Sequence, residues 1–168
     1  GELITLLEED KRIGKENELS VTLPSGDIFS VPPNLYIIGT MNTADKSIAL
    51  VDIALRRRFQ FIPVYPDSKI IEDFGKKENT EKKKLMEDIN IQLIDSKSKY
   101  YKGVDFQIGH AYFLKDNSLA EVINENVIPL LTEYFRNDLE KVKGLVSECG
   151  RALDEEYFNK TGLLKYIG

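Results

Sequence analysis

Two short segments hold the side chains best suited to chemistry. The first is Gly39-Thr40-Met41-Asn42-Thr43-Ala44-Asp45-Lys46, which directly follows the apolar run Leu35-Tyr36-Ile37-Ile38. Polar groups just past the carboxyl end of a buried strand stand where open α/β sheets place ligand chemistry. An Asn amide there donates and accepts at once, enough to orient a water beside a γ-phosphate. Simple capping of a turn and of the next helix by Asn42 and Asp45 accounts for the same residues without a ligand. The second segment is Arg56-Arg57-Arg58 at the end of an apolar helical pattern. Cations at a helix C-terminus are favoured by the helix dipole, so a solvated basic end is one reading. The other is an arginine finger, a guanidinium that stabilises charge on a transferring phosphoryl group. In a chain without its own phosphate loop, such a finger acts on a neighbour.

That loop is absent. Gly14-Lys15 is followed by Glu16, and Gly75-Lys76 by Lys77, so neither forms the Gly-Lys-Ser/Thr that cradles phosphate and holds magnesium. Ile48-Ala49-Leu50-Val51-Asp52 imitates a Walker B strand, but Ile53 stands where the catalytic acid belongs. There is no G-x-S-x-G, no H-E-x-x-H and no cysteine pair. Cys149 is the only cysteine, which excludes an internal disulfide and suits a small buried apolar role.

The elements that must position these residues follow from apolar spacing. Glu2 to Leu7 is apolar at helical spacing, with no capping residue before it. It reads as a helix cut inside a larger domain, or as a boundary lying just before a natural helix. Leu19 to Leu23 and Ile28 to Val31 alternate around Pro24-Ser25-Gly26-Asp27, which predicts a β-hairpin. Leu35 to Ile38 suits a strand buried on both faces. Ser47 to Arg57 predicts a helix, and Phe59-Gln60-Phe61-Ile62 another strand, together one βαβ unit that demands further strands. From about residue 67 the composition becomes charged. Lys69 onward reads as loop, and from Thr80 the positions Leu85, Ile89 and Leu93 predict an amphipathic helix. Ser118-Leu119-Ala120-Glu121 fits a capping box, Pro129 predicts a kink or break, and Asp138 to Glu148 a last clear helix ended near Gly150. The tail from Leu153 is ambiguous.

The 168 residues carry 23 Lys and Arg against 28 Asp and Glu, a net charge of −5. That balance argues against a dedicated phosphate-backbone binder. No apolar run approaches the roughly 18 residues of a membrane span. With one cysteine, this predicts a cytoplasmic chain that does not engage membrane. Lys97 to Lys102, with Tyr100 and Tyr101 among them, reads as a solvated loop or as a nucleic-acid contact.

Taken together, Leu35 to Ser47 followed by Val51-Asp52-Ile53-Ala54-Leu55-Arg56-Arg57-Arg58-Phe59 closely resembles the McrB-type AAA+ GTPase subunits of methylcytosine-specific restriction systems. Phe106-Gln107-Ile108-Gly109-His110-Ala111-Tyr112-Phe113 and Ile128-Pro129-Leu130-Leu131-Thr132-Glu133-Tyr134-Phe135 support the resemblance, and Gly1 to Glu8 looks like the helix after Walker B. The resemblance runs in family order to about residue 140. It implies Asn42 as the sensor-1 residue at the γ-phosphate, with Asp45 in the same signature. A different reading of Asn-Thr-x-Asp is guanine recognition, but the strand-end position explains the Asn without contact to the base. Arg57 and Arg58 match the trans-acting arginines, with their roles not separated. Lys46 departs from the Arg usual in the family and loses its bidentate fork. His110 falls in the lid segment and either approaches nucleotide or packs in the core.

The implied fold is α/β plus α: a truncated AAA+ P-loop NTPase core (its last strands, with a β-hairpin insertion) over residues 1–66, then a mostly helical lid over 67–168. The implied cofactors are GTP or ATP with Mg2+ in a longer protein. Its implied partners are a homo-oligomeric ring, a hexamer in the family, a partner nuclease subunit, and DNA held by regions outside this chain. The competing readings are a protein-binding adaptor module of α/β type and an ATP-using AAA+ relative. Lacking Walker A and Walker B, the purified 168-residue chain is expected to show no GTP turnover above a protein-free control in a phosphate-release assay.

Overall fold

The computed structural model describes residues 2–42, 53–73, 78–114 and 116–168. The chain divides into two compact units, Gly1–Pro63 and Val64–Gly168.

In the first unit, Glu2–Leu7 forms 3-10 turns that bury Leu6, and a second short 3-10 turn spans Glu9–Lys11. The hairpin is present but short. Strand β1 (Val21–Thr22) pairs antiparallel with β2 (Ile28–Phe29), Val21 opposite Phe29 and Thr22 opposite Ile28. Its turn is closed by Leu23 N–H to Asp27 C=O and Gly26 N–H to Leu23 C=O, both 2.8 Å. Gly26 sits at φ 91°, a conformation an L side chain resists. Helix α1 (Ile53–Arg56) ends in a turn, with the Arg58 N–H on the Leu55 carbonyl at 3.0 Å. The greater part of the predicted Ser47–Arg57 helix lies outside the described residues.

The predicted buried strands are not found. Leu35 to Ile38 and Phe59 to Ile62 have no strand partners, and Ile38 is 94% exposed, Tyr36 89% and Ile62 73%. A strand exists only as part of a ladder, because its amide groups must bond to a neighbour. Among the described residues β1–β2 is the only sheet. Among the described residues these apolar runs therefore carry no ladder, and most of their side chains are exposed.

The second unit is helical. Helix α2 (Ser68–Asp73) corrects the expectation of a loop from Lys69. Its Ile71 is fully buried, and Glu72 pairs with Lys83 at 2.7 Å across to the next helix. One apolar side chain with a core to enter is enough to order a charged stretch. Helix α3 (Glu78–Ile94) starts two residues before Thr80 and buries Leu85, Ile89 and Leu93 as their spacing predicts, with Met86 beside them. Short 3-10 turns follow at Val104–Phe106 and His110–Phe113.

Helix α4 (Leu119–Val122) opens on the predicted capping box. Glu121 N–H donates to Ser118 Oγ at 3.2 Å, and Ser118 N–H donates to Glu121 Oε2 at 2.7 Å. These Ser118 donors hold the Glu121 carboxyl below its usual range. The chain then widens into a π-helix, Ile123–Val127, before α5 (Ile128–Tyr134). Pro129 has no N–H to return to Glu125, and the chain restarts with Pro129 in the first turn of α5, where no such donor is needed.

Arg136 and Asn137 adopt positive φ, 55° and 64°, and turn the chain into α6 (Leu139–Glu148), capped by Asp138 through the Lys141 N–H at 3.1 Å. Gly150 follows at φ 76°. The tail resolves into α7 (Glu155–Thr161), capped by Asp154, and a single bridge between Leu153 and Tyr166. Asn124, inside the π-helix, donates to the Tyr166 carbonyl and accepts the Tyr166 N–H, both at 2.8 Å. Among the described residues no helix is long and apolar enough to cross a membrane.

The core of this unit runs from Ile71 through α3 to Val142, Leu145, Val146 and Leu153. Cys149 joins it, and burial pushes its thiol up to about 12, so the inert apolar role fits. Tyr100 is buried edge-on to Phe135 at 6.2 Å, and its hydroxyl donates to Glu148 Oε1 at 3.1 Å. The hydroxyl also lies over Gly144 of α6, where a Cβ would meet it at 2.6 Å. A buried ring held by its hydroxyl cannot retreat cheaply. Gly144→Ala, favourable for an exposed helix, is therefore expected to destabilise here by about 1–3 kcal/mol, read as a lower midpoint in thermal unfolding.

Candidate functional site

Three arginines line one cleft in the first unit, a hollow of about 720 Å3 bounded by Leu7, Glu8, Glu9, Asp10, Arg12, Arg57 and Arg58. Arg12 is committed to backbone. Its Nη1 donates to the Leu35 carbonyl at 2.8 Å and the Pro33 carbonyl at 3.4 Å, while Nη2 donates to the Leu7 carbonyl at 3.2 Å. The planar fork thereby ties the segment at Pro33–Leu35 to the opening 3-10 turns. Arg58 forms an ion pair with Glu8, and its side chain is only 17% exposed. Arg57 lines the same cleft and is exposed. Arg56 leaves the cleft: its guanidinium lies over the Phe61 ring at 5.5 Å.

The remaining predicted site residues are dispersed. Asn42 lies in exposed, non-helical chain and is not among the residues lining the cleft. Asp45 and Lys46 lie outside the described residues. His110 belongs to the second unit, at the start of a 3-10 turn whose Phe113 is fully buried. Its Nδ1 accepts the Asp67 N–H at 3.2 Å. The neutral ring therefore carries its proton on Nε2, leaving a fixed N–H donor on that edge. His110 is half-buried, so neither a fully packed ring nor a freely solvated one describes it.

Asn90 sets the backbone next to His110. Buried within α3, it donates Nδ2 to the Ile108 carbonyl at 3.0 Å and accepts the Ile108 N–H on Oδ1 at 2.7 Å. The amide acts as one rung of a strand, pinning the otherwise irregular 104–109 stretch to a rigid helix. Sequence reasoning passed over Asn90, although Met86 and Asn90 fall at i, i+4 on the apolar side of α3, where a polar residue needs a reason. It passed over Glu8 and Arg12 too. Their i, i+4 spacing suggests a routine helical ion pair, but in 3-10 geometry each finds a distant partner. Among the described residues no cluster of three or more His, Cys, Asp or Glu is placed to hold a metal.

Residues 81–143, from early α3 into α6, match the family described as McrB, alpha-helical lid domain. In an alignment of 157 positions that covers 82% of its length, the chain is 39% identical to the type IV methyl-directed restriction enzyme EcoKMcrB subunit of Escherichia coli (strain K12). This chain is of McrB type. It spans 34% of that curated relative. The helical body around α3 to α6 is thus the part that matches the McrB lid family, and His110, beside the Ile108 backbone that Asn90 pins, lies within the matched span.

The buried Asn90 amide leaves two satisfied backbone groups dependent on it. Asn90→Ala is expected to cost about 1–3 kcal/mol and to speed amide hydrogen exchange at Ile108 and through the 104–113 stretch, as read by mass spectrometry. Unchanged exchange there would contradict the pinning role.

Proposed function

We propose that this chain is part of a nucleotide-hydrolysing ring subunit of a restriction system that acts on modified DNA. In this reading the second unit is the lid over a nucleotide, and the first supplies groups to catalysis. Arg57 and Arg58 together form the trans-acting segment that serves the γ-phosphate held by the adjacent subunit, where a guanidinium offsets the charge that develops on the transferring group. Asn42 serves as sensor 1, orienting the attacking water, with Asp45 supporting it. Lys46 contributes charge without a bidentate fork. His110 offers its Nε2–H to nucleotide from the lid. The observation that carries the reading is the similarity to the EcoKMcrB subunit across the arginine segment and the lid together. The exposed position of Arg57 in a charged cleft supports it.

GTP is the nucleotide we favour, ATP being the alternative, and Mg2+ would be held by phosphate oxygens and by residues outside the described ones. The ring, a hexamer in this reading, works with a partner nuclease subunit, and DNA is gripped by regions beyond this acidic chain.

An arginine that acts in trans has a distinctive signature. When full-length Arg57→Ala subunit is mixed with unaltered subunit, GTP turnover is expected to fall more steeply than the fraction of variant added, because each variant disables a neighbour's site. Nucleotide binding by the variant, measured with a fluorescent GTP analogue, is expected to be unchanged. A fall that merely tracks the fraction of variant would count against action in trans.

A further inference from the structure

The two adjacent arginines are not equivalent. Neighbouring residues in a helical turn point about 100° apart, so Arg57 and Arg58 cannot address one target with the same approach. Arg58 turns to Glu8: the pair closes the start of the unit onto the end of α1, and the Arg58 guanidinium is largely withdrawn from solvent. A guanidinium whose charge is met by a carboxylate has little positive potential left for a phosphoryl group unless the pair breaks. Arg12, the third arginine of the cleft, has its fork filled by the carbonyls of Leu7, Pro33 and Leu35. Asp10, the neighbouring acid, is taken by Lys11 at 3.1 Å and by the Asn17 amide at 3.1 Å. Arg57 is different. It lines the cleft, is exposed, and no ion pair or hydrogen bond of its side chain is found among the described residues.

We infer that the arginines divide the work, Arg57 being the group that reaches the transferring phosphate and Arg58 a positioning residue that Glu8 holds so that Arg57 is aimed outward. The inference rests on the trans-acting reading above and assigns its parts. The ion pair ties residue 58 to the opening 3-10 turns, and the Arg58 N–H on the Leu55 carbonyl closes the turn that carries residue 57. Arg57 then meets its target without first ordering its own backbone. A misaimed group of this kind typically costs a large factor in rate while leaving ground-state binding alone.

The test uses the full-length subunit and steady-state GTP turnover. Arg57→Ala is expected to lower kcat on the order of 10³-fold, whatever stands at Glu8. Glu8→Gln and Arg58→Ala are each expected to lower kcat by roughly 10- to 100-fold with KM for GTP unchanged. The double variant is expected to be no worse than either single one. Reversing the pair, Glu8→Arg with Arg58→Glu, is expected to recover most of the lost turnover, which a merely structural loss would not allow. Glu8→Gln is nearly isosteric and keeps the test decisive if Arg58→Ala fails to fold. Arg58→Ala as damaging as Arg57→Ala, with Glu8→Gln silent, would overturn the division while leaving the trans-acting reading intact. A silent Arg57→Ala would instead overturn that reading itself.

Discussion

A primary amide buried in an apolar helix face is stable only if its donor and its acceptor are both engaged, and Asn90 meets that condition with one residue, Ile108. Much of the second unit depends on this. Helix α3 is the longest element described and its apolar side is the floor on which α2, the 3-10 turns and α6 rest. The stretch between Tyr101 and Leu114 has little regular structure of its own, so it needs an external template. Asn90 provides one at Ile108, and the fully buried Ile108 and Phe113 side chains complete the attachment. His110 lies between those two anchors, with its ring orientation set by the Asp67 N–H.

Several locally encoded features were legible in the residues, although the Asp154 cap and Gly162 terminator of α7 were not. The Ser118–Glu121 box, the interruption before Pro129, the helix opening at Asp138 and the Gly150 terminator each depend on contacts within a few residues, and each appears where its pattern puts it. The lid's apolar positions were legible for the same reason. Leu35 to Ile38 and Phe59 to Ile62 failed because a strand's stability resides in partners that are distant in sequence. Their composition marks them as fit for burial, but composition cannot supply the neighbouring ladder. Helix α2 failed in the opposite direction: its charged surroundings hid Ile71, the residue it buries in the core.

The candidate site was legible in type more than in arrangement. Arg57 and Arg58 stand out as a basic run, but nothing in the run distinguishes one from the other. The distinction comes from Glu8, some fifty residues earlier, whose carboxylate selects Arg58. Likewise Arg12 reads as an ordinary surface cation until its fork is seen on three carbonyls. In both cases the informative contact joins residues far apart in the chain, which spacing rules do not reach. The first unit, with Leu6 and Val31 as its buried apolar side chains among those described, leans on these polar ties more than the second does.

The amide of Asn124 holds Tyr166, 42 residues further along the chain, by the same two-bond arrangement that Asn90 uses. Closing so long a loop is entropically expensive before the intervening helices are in place. The π-turn that presents Asn124 lies directly ahead of the helix that opens with Pro129 in its first turn. The tail thus acts as a clasp that joins the end of the chain to the π-helix. Loss of that clasp would leave Leu163 to Gly168 loose and open to proteases.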